Sequence, residues 1–461
     1  RACGRIAFGR PWPIVALAAV VLVFSAVGIG RIEINDNPVR WFKESHRIRV
    51  ADEVLNEHFA GTYDAFLVLE HTLPDERLAT FRRNAAASLD ALRDRELAGR
   101  LGGHLRADPP ALDRLIADVD DALFEAAGED VGRLGALLDD AESVQQASRY
   151  FLRPDALGYI ESLQEALMAS GLVGKTNALP DVTKVVNREL RGGDAADYRI
   201  PDSVPAVAQT LLQYQSSHRP QDLWHMVTPD YGAAAIWLQL TSGDNQDMTR
   251  VMAAVDTWLA DHPPPAGVSV DWAGKTYINV VWQQAMVEGM LLSLLSAFAI
   301  VFVMMVVLFR SVLFGLIAML PLSLTISFVY GLIGWIGKAY DMPIAVLSAL
   351  TLGLSIDFHF VQRFRTLAAE TGSFAGAAAG IFEEPARAIY RNAVVIALGF
   401  TPLFFAPLVP YITVGAFMAS IMAISAAVTL FLLPAVMSLL QGVLFRNSGT
   451  ATGVPATQRG G

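Results

Sequence analysis

One acid, Asp357, stands inside an otherwise apolar run, Leu347-Ser-Ala-Leu-Thr-Leu-Gly-Leu-Ser-Ile-Asp-Phe-His-Phe-Val361. A carboxylate at bilayer depth costs about 2.5–3.5 kcal/mol on insertion scales. So expensive a residue marks an ion path or proton relay, or else a structural hydrogen bond to a neighbouring helix. On a helix, Gly353 lies one turn before Asp357 on the same face. A glycine there lets another backbone come close and bury the carboxylate. The opposite stripe carries Ser348, Thr351, Ser355 and His359 at helical spacing. Such hydroxyls either satisfy backbone carbonyls or line a wet path, and spacing alone does not choose. His359 has a side chain that titrates near neutral pH when unperturbed, or it is an interfacial histidine beside Arg363. Burial disfavours the charged form of a carboxylate, so an acid at this depth can exchange a proton near physiological pH. Each exchange would change how firmly its helix is held.

The rest of the chain must supply the membrane that makes such an acid meaningful. Of 461 residues, 53% are hydrophobic and only 17% charged, and the mean hydropathy is +0.40. Soluble domains carry about 25% charged residues, so this composition is that of a membrane protein. A formal charge of −10 argues against nucleic acid as a partner. Cys3 is the only cysteine, so no internal disulfide forms and redox compartment is not legible. Six stretches reach the roughly 17–25 residues that cross a bilayer: 11–31, 285–309, 312–337, 342–362, 392–409 and 412–440. The first lacks a small-residue cleavage site and is followed by further spans, so it reads as a signal anchor. Arg1, Arg5, Arg10, Arg310, Arg363, Arg365, Arg387, Arg391 and Arg446 all fall on one side of the resulting alternation. The positive-inside rule makes that side cytoplasmic, with both termini inside and residues 32–284 outside.

The expected fold class is therefore an α-helical integral membrane bundle of six transmembrane helices, one plus five, with a large exoplasmic α+β domain. Residues 1–31 form the cytoplasmic start and first span, 32–284 the exoplasmic domain, 285–441 the five-helix membrane domain, and 442–461 a polar, disordered tail. Within the exoplasmic domain, Thr62–Glu70 reads as a strand preceded by an amphipathic helix through 49–56. Gly232–Leu240 and Val268–Trp272 read as strands around a helix over Met248–Leu259, a βαβ order. Between them lies a helical insert at about 75–170, acidic over 75–150, with breaks at Asp108-Pro-Pro110 and Arg153-Pro154. It shapes an external pocket or merely solvates a face; the composition favours the latter.

Several motifs carry less than their pattern suggests. Ala169-Ser-Gly-Leu-Val-Gly-Lys-Thr176 matches a relaxed nucleotide-binding loop with Ala in place of the first Gly, but a helix is expected before it, where a phosphate loop needs a strand. A second Gly-Lys-Thr at 274–276 lacks the upstream glycine. An aspartyl protease needs two converging acids, but only Asp357 lies deep in a span; Glu288 sits near the outer mouth of the second and reads as interfacial. The eight histidines form no HExxH and no tight cluster, so no metal is expected. No nucleophile–base arrangement stands out, so no enzyme is expected. Trp12, Trp272, Trp282 and Trp335 fall near span ends, where an aromatic belt accounts for them.

One span, a large external domain and five further spans resemble the half-unit of resistance-nodulation-division (RND) exporters. Gly353-Leu-Ser-Ile-Asp357-Phe358 resembles the fourth-helix GxxxD-aromatic motif of the branch that holds the mycobacterial large membrane (MMPL) proteins, hopanoid exporters and Patched-like sterol-sensing proteins. Ala388-Ile-Tyr-Arg-Asn-Ala-Val-Val-Ile-Ala-Leu-Gly-Phe-Thr-Pro402 resembles that branch's fifth helix with its amphipathic elbow, and Leu432-Leu-Pro434-Ala-Val the close of its sixth. Asn37-Pro-Val-Arg-Trp-Phe-Lys43 and Leu55-Asn-Glu-His-Phe59 resemble the start of the external domain in bacterial RND exporters. The likeness covers nearly the whole chain and is weakest over 75–150.

The resemblance implies proton-driven export of a lipid or other hydrophobic small molecule from a bacterial inner membrane, powered by the proton gradient and without a cofactor. Asp357 would be the proton-coupling acid, Gly353 its packing neighbour and Phe358 its aromatic neighbour, with Ser355 and His359 in support. The family often has Tyr after the acid and His four residues beyond; here Phe358 and Val361 stand there, with His359 at plus two, which puts a tyrosine-based relay in doubt. Family members carry two such halves, and no internal repeat is present here. The chain is expected to be half of a longer protein, or to pair with another copy; oligomeric state is open. The alternatives are a non-transporting lipid sensor or scaffold, and a protein-secretion accessory of the same fold.

Overall fold

The structure, a computed structural model, describes residues 2–107, 110–347, 358–382 and 385–444. It divides into a membrane unit, Arg1–Glu53 with Asp244–Gln246 and Asn279–Gly461, and an α+β unit, Val54–Gly243 with Asp247–Ile278. The sequence reading placed these boundaries at 31/32 and 284/285. Residues 32–53 and 244–246 group with the spans because the polar side chains at 35–40 and 244–245 are hydrogen-bonded to one another and to Gln283.

Five stretches among the described residues are long and apolar enough to cross a membrane: Pro11–Ile29, Lys275–Phe309, Val312–Ile336, Phe374–Phe405 and Val409–Leu439. The fourth expected span, 342–362, falls largely on 348–357 and lies outside the described residues. The fifth apolar stretch starts earlier than the expected 392, at Phe374. There the helix Phe374–Ile381 sets Phe374 edge-on to Phe8 at 5.6 Å and to Phe364 at 5.3 Å. The expected Pro-rich reversal shortens too, because Pro410 falls within the first turn of the Val409–Leu439 helix, where its missing N–H is no loss.

Lys275–Phe309 shows its apolar side chains almost all round, with Leu292, Leu295, Ile300, Val303, Met304 and Val307 outward. Such a surface requires an apolar solvent, and a helix satisfies its own backbone there. Its C-terminal carbonyl at Phe309 accepts a hydrogen bond from Arg365 at 2.8 Å, while that guanidinium lies 4.6 Å over the Phe314 ring. Arg365 thus caps a helix end besides counting as a loop charge.

The first and third spans pack backbone to backbone. A Cβ on Gly331 would lie 2.5 Å from Ser25 Cα, and one on Gly334 would lie 1.8 Å from the Gly28 carbonyl oxygen. Small residues at such a crossing are what hold helices together where lipid tails offer no hydrophobic drive. Beside this contact Trp335 stacks on Phe24 at 4.9 Å and donates to its carbonyl at 3.0 Å, and the Arg31 guanidinium lies 4.2 Å from the centre of the Trp335 ring. Trp335 thus stands one residue before the end of the Val312–Ile336 helix, tied to the first span. Trp272 is not at a span end; it lies in a strand of the α+β unit.

The α+β unit contains a four-stranded sheet built from β1 (Tyr63–His71), β2 (Lys175–Asn177), β3 (Ala233–Leu240) and β4 (Val268–Ala273), in the order β2-β3-β1-β4. β1 pairs antiparallel with both β3 and β4, so β3, the helix Asn245–Asp261 and β4 form a βαβ unit split by β1. In β3 every second residue is buried, as alternation demands of a sheet with one covered face. The helices Asp75–Asp90, Arg95–Arg106, Leu112–Glu125 and Glu129–Ser148 form their own core, centred on Phe81, Leu101, Leu115, Val119, Leu134 and Leu137. Helices continue past the expected end of the insert, at Leu179–Leu190 and Val204–Gln215.

Both Gly-Lys-Thr segments have structural explanations. Lys175 and Thr176 enter β2 rather than a helix, and a Cβ on Gly174 would meet the Ala60 carbonyl oxygen at 1.7 Å. Gly274 has φ +101° at the one-residue corner between β4 and the Lys275–Phe309 helix, with no loop of amides to cradle a phosphate.

Candidate functional site

Gly353, Ser355 and Asp357 lie outside the described residues. Phe358 opens the helix Phe358–Thr371, which carries His359 in its first turn. His359 is exposed and lines a groove of about 610 Å³ with Gln362, Arg363, Thr366 and, from the helix Pro385–Phe400, Ala388, Ile389 and Asn392. Phe360, Val361 and Phe364 turn the other way and are fully buried in the membrane unit's core. The helix therefore separates a polar side, with His359 and Arg363, from an apolar one. The groove is wide enough to hold water beside His359.

A second concentration of chemistry lies just past the apolar ends of the first and third spans. After Ile29 the chain passes through Asn35, Asp36 and Asn37, all buried despite being polar. Each has a defined hydrogen bond. Asn35 Oδ1 accepts from the Asn245 backbone at 3.0 Å, and Asn37 donates to Asp244 Oδ1 at 2.8 Å. Asp36 accepts from the indole of Trp41 at 3.1 Å, while its own N–H donates to Gln283 Oε1 at 3.0 Å. Gln283 Oε1 also accepts from the Asn245 amide at 2.5 Å. Arg40 closes the group with an ion pair to Asp244. Asn37 doubles as the cap of the turn Pro38–Trp41, accepting from Val39 N–H at 3.0 Å. Polar groups removed from water are tolerated only when partnered in this way.

The loop after the third span completes the cluster. The chain leaves Ile336 through Gly337 at φ +69°, and Lys338 then donates to Asp341 Oδ2 at 2.8 Å. Asp341 Oδ1 accepts from Ile344 N–H at 3.3 Å, and Ile34 bridges to Tyr340. Asp36, Lys338 and Asp341 meet at a groove of about 670 Å³ that Arg40, Trp41, Lys43 and Arg49 also line. Burial raises the pKa of Asp36, and the neighbouring Asp341 pushes it the same way; the Trp41 hydrogen bond and Lys338 oppose them. The cluster ties the end of the first span to the start of the second-span helix and to the approach of the fourth expected span.

Residues 174–454 match the MMPL family, well over half of the chain. The chain belongs to the MMPL family. A membrane protein of Methanocaldococcus jannaschii is 25% identical over 239 residues, an alignment that spans 51% of this chain and 61% of that relative. The chain thus covers less than two thirds of the relative's length. The MMPL match contains the GxxxD segment and four of the five candidate spans, so the sequence resemblance and the family agree.

Sequence reading of this MMPL chain passed over Asp36, Asp341, Asp244, Asn245 and Gln283. A signal was present: Asn35-Asp-Asn37 directly follows an apolar span, and Lys338 to Asp341 directly follows another. Nothing in the sequence, however, pairs residues 36 and 283, whose hydrogen bond crosses 247 positions.

Proposed function

We propose that this MMPL-family membrane protein exports lipids or other hydrophobic small molecules at the expense of a proton gradient, with Asp357 as the coupling acid. The single observation that supports the reading most is a lone carboxylate deep in an apolar span of a chain that belongs to this family. Gly353 would pack its helix closely, Phe358 would take the place of the family's aromatic neighbour, and Ser355 and His359 would offer polar contacts along the same helix. The proposed setting is a bacterial inner membrane, with both termini cytoplasmic and residues 32–284 outside. A second half-unit, in the same polypeptide or another copy, would stand opposite Asp357. A proton crossing about 100 mV releases about 2.3 kcal/mol, enough to bias a helix between two positions.

The test is lipid extrusion from liposomes containing the full-length gene product. With the proton gradient imposed, labelled lipid is expected to leave the bilayer faster than after a protonophore has collapsed it. Equal rates with and without the gradient would remove proton coupling, and absence of extrusion under both conditions would favour a sensor or scaffold.

A further inference from the structure

We propose that Asp36 is a proton-binding site of the membrane unit, distinct from Asp357, which shares the single ammonium of Lys338 with Asp341. The argument begins with a charge count. Asp36 and Asp341 are 4% and 7% exposed, and these two buried carboxylates face one half-buried cation, Lys338. Lys338 is already committed to Asp341 at 2.8 Å. The other charges around the groove do not supply a second. Arg40 is paired with Asp244, Arg49 is 3.7 Å from Glu44, and Lys43 is exposed on the rim. The second-span helix contributes only the neutral Gln283. Asp36 itself receives the Trp41 indole and the backbone N–H of Met342, two neutral donors.

An ionised Asp36 would therefore be the second anion in a site built for one. A proton neutralises it without rearrangement, and the groove of about 670 Å³ gives that proton a wet route. The direction of the Asp36 pKa, raised chiefly by burial and, against the Trp41 hydrogen bond, also by Asp341, agrees with this geometry. Loss of the proton must draw Lys338 between the two carboxylates or admit water. Either loosens the link between the segment after the first span and residues 337–341. The two acids titrate as a coupled pair, so the first proton lost belongs to the pair.

The sign for stability follows. The native protein keeps the Asp36 proton at a pH where the unfolded chain has lost it, so the contribution is complete below the ordinary aspartate value. It is lost as the pH rises through the raised native value.

The experiment is an infrared titration of the carboxylic-acid C=O band, using the full-length gene product in phospholipid nanodiscs. The wild type should show a band whose midpoint lies above the ordinary aspartate range. In the Asp357→Asn background, which removes the coupling acid's own contribution, a band should remain, and adding Asp36→Asn should abolish it; this separates the two sites. Lys338→Met should move the midpoint up and Asp341→Asn should move it down. These two neighbour variants decide the matter if Asp36→Asn fails to fold. A band that survives Asp36→Asn in the Asp357→Asn background, absence of any band in that background, or a midpoint unchanged in both neighbour variants would overturn the proposal.

Discussion

Asp357→Asn protein will fold and insert, yet move no more lipid with a proton gradient than without one. Asparagine has almost the shape of aspartate and keeps hydrogen-bonding capacity, so the variant is expected to fold. It cannot take up or release a proton. The helix is then held in a single charge state, and the roughly 2.3 kcal/mol per proton that 100 mV provides has nothing to act on. A ligand or proton shifts an equilibrium only by its differential affinity for the two states, and in this variant that difference is zero. The expected result is loss of the whole gradient-dependent component of extrusion, with any passive component unchanged. Asp357→Glu should restore part of it, since it keeps the titrating group and changes only its reach. Extrusion by Asp357→Asn at the wild-type rate would show that the acid is structural.

Gly331→Leu will destabilise the membrane unit by about 3 kcal/mol or more, the upper end of what overpacking costs. The reason is geometric. A Cβ at this position already falls 2.5 Å from Ser25 Cα and 2.8 Å from the Ser25 carbonyl oxygen, so the obstacle is backbone, which cannot rotate away. Leucine adds three further carbons in the same direction. The first and third spans must separate, and the nearby Trp335 contact with Phe24 goes with them. Gly289→Leu is the control, because nothing lies within 4 Å of a Cβ there. That variant should be no less stable than wild type, and leucine's better helix propensity should add up to about 1 kcal/mol. Equilibrium unfolding in mixed micelles measures both. Equal stability of the two variants would contradict the close crossing.

What the sequence revealed follows the range over which each signal acts. Strands β1, β3 and β4 were legible because alternation of buried and exposed residues is local; each lies within one residue or so of its expected ends. The apolar spans were legible because hydropathy integrates over one helix. The helix breaks at Arg153-Pro154 were legible because proline acts on its own turn. The close crossing at Gly28, Gly331 and Gly334 was not, since only a second helix about 300 residues away gives those glycines a meaning. Trp272 misled for the same reason: an aromatic belt and a strand at the edge of a sheet use the same residue. The Asp36 cluster joins four separate segments, and each alone reads as an ordinary polar loop at a span end. Its members become notable only once burial is known.

Proton flux itself tests the central claim most directly. Liposomes holding the full-length gene product would be loaded with a pH-sensitive dye, and the lumenal pH followed after a gradient is imposed, with and without an external lipid acceptor. The account predicts that adding the acceptor accelerates proton movement in the wild type and leaves Asp357→Asn at the rate of protein-free liposomes. Proton movement in Asp357→Asn that equals the wild type, or wild-type flux indifferent to the acceptor, would contradict coupling through this acid.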